Sequence, residues 1–220
     1  MILEARDISF SYERKGAELF SNIKFKVENN ERVWVPGPSG YVYLSDLLGR
    51  PDVLREVGRL IATQYVDDDV DVVMTVETKG IPIAQSVAMY LNKPFVIVRN
   101  SSHITEGSTV SVNYVSGSSQ RIKKMELSRR TLKEGANVIV VDDFMKGGGT
   151  LNGMKSLIEE FGAHLVGMTV FAEGQFSGQR LVDGCTSLIK VQAVDDTTNK
   201  KITAQPGSYM EAVFGNKKEK

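Results

Sequence analysis

The chain has 220 residues, with 27 Lys and Arg set against 27 Asp and Glu, and 41% of its residues are hydrophobic. That length fits one domain with room for a short appendage, and the apolar fraction is too high for a disordered chain. Zero net charge argues against autonomous nucleic-acid binding, which rests on a basic excess. One cysteine, Cys185, excludes a disulfide framework, and two distant histidines, His103 and His164, argue against a His/Cys metal cage. No apolar run approaches the ~18 residues of a membrane span, and Met1 to Asp7 lacks the basic and apolar regions of a signal peptide. A soluble cytoplasmic protein is expected.

Helix and strand patterns alternate from about residue 50. Pro51 suits a first helical position, and Val53, Leu54, Val57, Leu60, Ile61 and Gln64 follow a 3.6-residue period until Asp67-Asp68-Asp69. Val70 to Val76 is an apolar, β-branched run suited to a buried parallel strand. After the turn Thr78-Lys79-Gly80, residues Ile81, Ala84, Val87, Ala88 and Leu91 mark one helical face, with Pro82 tolerated in the first turn. Phe95 to Val98 reads as a short strand, and Ser108 to Val115 alternates like a half-exposed one. Ser116 to Arg121 is a loop signal. It leads into a basic stretch in which Arg121, Lys123, Lys124, Arg129 and Arg130 meet one carboxylate, Glu126. Val138 to Val141 is a third buried strand. Leu151, Met154, Leu157, Ile158 and Phe161 mark another helix, and Leu165 to Phe171 a fourth strand. Strands separated by helices of this length imply βαβ units and an α/β domain with a mostly parallel sheet. His164 is expected at a strand entrance, Cys185 as a small buried residue, and Asn216 to Lys220 as a frayed end.

The most informative segment runs from Val138 through Asp142-Asp143-Phe144-Met145-Lys146-Gly147-Gly148-Gly149-Thr150. Two carboxylates sit at the end of a buried strand, where open α/β sheets bind ligands. Three glycines let the backbone approach a ligand with its N–H groups pointing inwards. Thr150 opens the next helix, where its hydroxyl can cap the end or donate to a phosphate. The chemistry implied is a sugar phosphate, with Asp142 and Asp143 accepting from ribose hydroxyls. A flexible turn flanked by solvent-facing acids is the plainer alternative.

This string resembles the phosphoribosyl-pyrophosphate (PRPP) motif of type I phosphoribosyltransferases. Residues 41 to about 205 resemble, more closely, the effector domain of the bacterial purine operon repressor family. The resemblance is carried by Gly40-Tyr41-Val42-Tyr43-Leu44, Val72 to Val76, Thr78-Lys79-Gly80-Ile81-Pro82, Thr105 to Ser111, Asn113 to Ser119 and Asp142 to Lys146. It implies a type I phosphoribosyltransferase-like fold, a homodimer, and PRPP bound with Mg²⁺. The PRPP-binding residues it implies are Asp142, Asp143, Met145, Lys146, Gly147, Gly148, Gly149 and Thr150, with Thr78, Lys79, Gly80, Arg99 and Tyr114. Asp142 and Asp143 would also meet the metal indirectly, through water or ribose. Lys79 would donate to the pyrophosphate, although a solvated loop lysine is the alternative. Arg99 would reach the same phosphates or form an ion pair at its strand end. Tyr114 to Arg121 matches a loop that closes over PRPP.

The repressor family uses its PRPP site as a sensor that regulates purine biosynthesis genes and does not transfer phosphoribose. The alternative is a purine phosphoribosyltransferase of xanthine or hypoxanthine type, for which no base pocket is apparent. The family's DNA-binding winged helix has no counterpart before Tyr41. Instead Leu3 to Tyr12 and Phe20 to Val27 read as strands of a short β-rich segment, residues 1–40. These residues resemble the start of an ABC-transporter ATP-binding subunit, with Tyr12 at the adenine-stacking position and Gly37-Pro38-Ser39-Gly40 as half a Walker A loop. Neither the Lys nor the Ser/Thr that a P-loop needs follows, so ATP hydrolysis is not expected. The chain reads as a junction near Gly40, and recombination and artificial joining both fit. Residues 41–205 are expected as the effector domain and 206–220 as a tail. Binding to purine-operon control DNA is doubtful for this polypeptide. The basic stretch fits a solvated face or the closing loop better than a DNA contact.

Overall fold

The structure is a computed structural model that describes residues 49–101, 107–116, 121–196 and 199–214, together with four short backbone strands near the N-terminus. Those strands are β1 (Glu4–Ile8), β2 (Glu13–Arg14), β3 (Ala17–Glu18) and β4 (Ile23–Lys26). β1 pairs antiparallel with β4 and β2 with β3, in two separate two-stranded sheets. Tyr12, Gly37 to Gly40 and Tyr41 to Leu44 lie outside the described residues, so the ABC-like features fall there.

The main body follows the alternation of the sequence. Helix α1 (Pro51–Thr63) leads to β5 (Val72–Val76), α2 (Gly80–Leu91) and β6 (Phe95–Val98). The antiparallel hairpin β7 (Thr109–Val115) and β8 (Ile122–Ser128) comes next, then β9 (Asn137–Met145), α3 (Gly149–Glu160) and β10 (His164–Gly174). Three further elements complete it: β11 (Cys185–Asp196), β12 (Asn199–Pro206) and α4 (Ser208–Phe214). The six-stranded sheet has the order β12-β11-β10-β9-β5-β6, and only β12 runs antiparallel to its neighbour.

Alternation along the strands builds one core on each side of the sheet. Val73, Ile139 and Val141 meet α1 and α2 through Val57, Ile61, Ile83 and Val87, joined by Met210 of α4. Met74, Val138 and Val140 meet α3 through Leu151, Met154, Leu157 and Ile158, and the hairpin through Val110, Met125 and Leu127. The four α3 side chains are at most 1% exposed, so each contributes about 1.5–3 kcal/mol by leaving water. Because α4 packs Met210 into the core, the domain continues past residue 205 and the expected tail is largely structural. Its boundary also falls inside β12.

The basic stretch after Arg121 is a strand. Lys123 stands opposite Tyr114 and Met125 opposite Val112, so β8 lends two apolar residues to the core and leaves its lysines outside. The buried acid Glu126 is paired with Lys124 Nζ at 3.0 Å. Ser116 N donates to Arg121 O at 2.9 Å, closing the ends of the expected mobile loop, whose residues 117–120 lie outside the described ones.

Candidate functional site

β5 connects to β6 on one side of the sheet and β9 to β10 on the other, so these adjacent parallel strands form a topological switch point. A crevice is expected at their carboxyl ends. Pairing between them stops at Met74↔Val140, and beyond it they diverge. The acid pair lies just past that point, within β9 and short of its end. Val141 and Phe144 face the same core although three residues apart, while Val140 and Met145 face the other. The alternation therefore slips at Asp142-Asp143, and neither carboxylate has to occupy a core position.

Asp142 is buried, and its Oδ1 accepts from Asp143 N at 2.9 Å. Burial, reinforced by the charge of Asp143, holds the Asp142 carboxyl well above the ordinary carboxylate range. Burial raises Asp143 too, opposed by the positive charge of Lys79 across the crevice. The Thr78–Gly80 loop comes close to β5 and β9 at Gly80, the first residue of α2. A Cβ there would lie 2.3 Å from Thr75 Oγ1 and 2.7 Å from Asp142 Oδ1, so only glycine fits. Thr75 is fully buried and its hydroxyl has no hydrogen-bond partner. Thr78 and Lys79 are exposed at the mouth, and the Glu77–Thr78 peptide is cis.

On the other side, Gly147, Gly148 and Gly149 are buried and lead into α3. Gly148 is the N-cap with φ +81°, a left-handed conformation that favours glycine. α3 has no side-chain cap, so the expected capping by Thr150 does not occur and the first N–H groups of the helix keep no side-chain acceptor. Such an end attracts an anion. Lys146 and Thr150 are half-buried beside it.

Two implied residues take other roles. The Met145 side chain is 2% exposed inside the core on the α3 side, so it packs there and leaves only its backbone for a ligand. Arg99 forms the ion pair that was its alternative, with Nη1 3.2 Å from Glu77 Oε2. It ties the end of β6 to the Thr78–Gly80 loop. Asn100, which the sequence reading passed over, strengthens that tie. Its backbone N donates to Glu77 Oε1 at 2.6 Å and its Nδ2 to Glu77 O at 3.0 Å. Tyr114 Oη donates to Asn100 Oδ1 at 3.0 Å, bringing the hairpin to the same cluster. Burial raises the Tyr114 phenol, helped by the charges of Asp142 and Glu77. No spacing in the sequence announces Asn100, because its partners, Glu77 after β5 and Tyr114 of β7, arrive from two separate places in the chain.

The donor set suits a cation that brings most of its own ligands. Among the described residues no group of three or more His, Cys, Asp or Glu is arranged to hold a metal. Two adjacent carboxylates fit Mg²⁺ carried by phosphate and sugar oxygens with water, as that ion prefers.

Comparison with known proteins agrees with this fold. The family described as "Phosphoribosyl transferase domain" matches residues 44–210. A purine biosynthesis transcriptional activator, PurR, of Lactococcus lactis subsp. lactis (strain IL1403) is 56% identical over 171 residues, which is 78% of this chain and 63% of that protein. The purine biosynthesis transcriptional repressor PurR of Bacillus subtilis (strain 168) is 48% identical over 193 residues, 88% of this chain and 66% of that one. The chain thus spans less than two thirds of these regulators' length. A xanthine phosphoribosyltransferase of Clostridioides difficile (strain 630) is more distant, 32% identical over 154 residues, 67% of this chain and 81% of the enzyme. Among solved structures, adenine phosphoribosyltransferase from Thermoanaerobacter pseudethanolicus shares the fold with a TM-score of 0.59 at 21% identity, covering 69% of this chain and 89% of that one. On sequence and fold together, the chain belongs to the phosphoribosyl transferase domain family.

Proposed function

We propose that this chain is the PRPP-sensing effector domain of a purine biosynthesis transcriptional regulator and does not transfer phosphoribose. One observation carries the reading: a buried and a half-buried carboxylate, Asp142 and Asp143, at the switch point, set between the Lys79 loop and an uncapped helix N-terminus behind three glycines. The similarity to regulators supports the sensing role. Those relatives bear the names activator and repressor, so the proposal covers the sensing step and leaves the sign of regulation open.

The residues divide the ligand between them. Asp142 and Asp143 accept hydrogen bonds from ribose hydroxyls. N–H groups at Gly147 to Thr150 and the positive end of the α3 dipole take the 5′-phosphate. Lys79 and the backbone of Thr78–Gly80 take the pyrophosphate. Tyr114 and its hairpin lie beside Asp142, where closure over the ligand excludes water and strengthens these contacts. Asp142 and Asp143 would hold Mg²⁺ indirectly, through water or ribose, and the ion would supply positive charge beside the pyrophosphate. A homodimer and indirect contact with control DNA through the rest of the regulator belong to the same proposal.

A cavity of about 290 Å³ at the end of β10, beside the middle of β11 and the end of β12 and lined by Phe176, Arg180 and Gln205 among others, gives the enzyme reading its support. Incubation with PRPP, Mg²⁺ and each purine base separates the two, since base-dependent pyrophosphate release would refute the sensor. Calorimetric titration with PRPP tests the binding itself. Saturable binding that is lost in Asp142→Asn/Asp143→Asn is expected, and no binding by the unaltered chain would overturn the proposal.

A further inference from the structure

The loop between β10 and β11, residues 175–184, is fastened to the glycine run of the candidate site. Leu181 N donates to Gly147 O at 3.0 Å. The Phe176 ring rests on Gly147, where an added Cβ would meet it at 3.1 Å. Val182 lies against Gly148 so closely that a Cβ there would sit 2.6 Å from its Cγ2. The three glycines are therefore backed by another segment, and their conformation depends on where that segment stands.

Besides the burial of Val182 in the core, an ion pair holds the segment. Arg180, in the loop, donates through Nη2 to Glu173 Oε1 at the end of β10. Glu173 is 6% exposed, and its second oxygen accepts from Ser187 Oγ of β11 at 2.9 Å. Ser187 in turn is locked to the start of α4: Ser187 N donates to Ser208 Oγ at 3.0 Å and Ser208 N to Ser187 Oγ at 3.2 Å. A carboxylate this deeply buried needs its partner, because an unpaired charge there is strongly unfavourable. Its position is fixed from the sheet side, so it fixes Arg180.

We propose that Glu173 and Arg180 are positioning residues for phosphate binding: they clamp the 175–184 loop against Gly147 and Gly148 and so hold the N–H groups ahead of α3 in a ligand-ready arrangement. Neither residue touches the ligand in this account. The inference rests on the PRPP reading and adds to it a determinant more than twenty residues beyond the motif.

The test compares Arg180→Met, Arg180→Lys and Glu173→Gln with the unaltered full chain. PRPP affinity is measured by calorimetry with Mg²⁺, and amide hydrogen exchange is followed at Leu181. Arg180→Met and Glu173→Gln are expected to speed exchange at Leu181 and raise the PRPP Kd at least tenfold. Arg180→Lys, which keeps the charge, is expected to stay within threefold on both counts, a rescue that a packing role alone would not produce. Unchanged Leu181 exchange, or a PRPP Kd within twofold in Arg180→Met, would overturn the clamp while leaving the PRPP site intact. Failure of the unaltered chain to bind PRPP would remove both proposals together.

Discussion

Replacing Gly80 by alanine probes the contact between the Thr78–Gly80 loop and strands β5 and β9 directly. The new methyl carbon would start 2.3 Å from Thr75 Oγ1 and 2.7 Å from Asp142 Oδ1, where ordinary contact begins near 3.4 Å. The Asp142 oxygen must retreat by about 0.7 Å and the threonine hydroxyl by about 1 Å. Both side chains are buried on central strands, so the overpacking is expected to cost about 1–3 kcal/mol, or about 2–12 °C in Tm for a domain of this size. Affinity suffers separately. A hydrogen bond to a charged acceptor contributes about 1.5–3 kcal/mol, so displacing Asp142 should weaken PRPP roughly ten- to a hundredfold. Gly135→Ala is the control. Its φ is +75° with open space around the Cβ position, at the opposite end of β9, so it should lower Tm without changing Kd. Calorimetry with PRPP and Mg²⁺, alongside thermal unfolding, reads both quantities. A Gly80→Ala protein that unfolds earlier yet binds PRPP within twofold of the original would show that Asp142 is not a ligand group.

Asp142→Asn should stabilise the ligand-free protein at neutral pH, because burial raises this carboxyl in the folded state and the stability linked to its protonation is lost as pH rises through that raised value. Asp143, Lys79, Tyr114 and Glu77 share its surroundings. The gain in Tm should shrink as pH falls towards the ordinary carboxylate value of 3.8, measured in a metal-free buffer, and a variant less stable than the original at pH 7 would contradict it. Tyr114→Phe removes the hydroxyl that reaches Asn100, and should lower stability by about 1 kcal/mol while speeding PRPP dissociation several-fold in stopped-flow measurements. Burial pushes Tyr65 up to about 12, and its hydroxyl shares a hydrogen bond of 2.6 Å with Thr169. Its protonated form therefore supports folding up to pH 10, and that support is lost as pH rises towards 12. Ultraviolet titration should find one tyrosine ionising last, and its early ionisation would refute the buried placement.

Periodicity located the sheet because its central strands are buried on both faces, and Val72 to Val76 and Val138 to Val141 carry that burial in their composition. The ligand-binding end of the sheet followed from the same runs once acids and glycines were found after one of them, whereas the switch point came with the strand order. β8 escaped because its lysines obscure the alternation: only Met125 and Leu127 face the core, and Glu126 between them is buried by Lys124 and by the strand's edge pairing with Arg99. The elements after Phe171 also went unassigned, though β11 and α4 supply Leu188, Val191 and Met210 to the core. Met145 and Lys146 follow the acids in the motif and look alike as candidates, yet one residue of strand twist sends the first into the core. Contacts such as Arg99–Glu77 and Arg180–Glu173 depend on loop geometry, which no local pattern encodes.

Three unfavourable local features meet at the carboxyl ends of β5 and β9: two acids held up by burial, the Thr75 hydroxyl without a partner, and a helix start without a side-chain cap. On the proposed reading one polyhydroxylated polyphosphate would relieve the acids and the helix start together, because its hydroxyls donate to the acids and its phosphates accept from the helix. A sensor requires no more than this, a bound state of clearly lower free energy than the free one. Transfer of phosphoribose requires in addition groups that bind the transition state more strongly than the ground state. The ligand-induced rise in stability is thus the quantity to measure: at a hundredfold excess over Kd it should reach about 2.7 kcal/mol. At the same PRPP concentration Asp142→Asn should begin from a higher stability and gain only about 0.4–1.4 kcal/mol. If that variant gained as much from PRPP as the original, the acids would be structural and the sensing site would lie elsewhere.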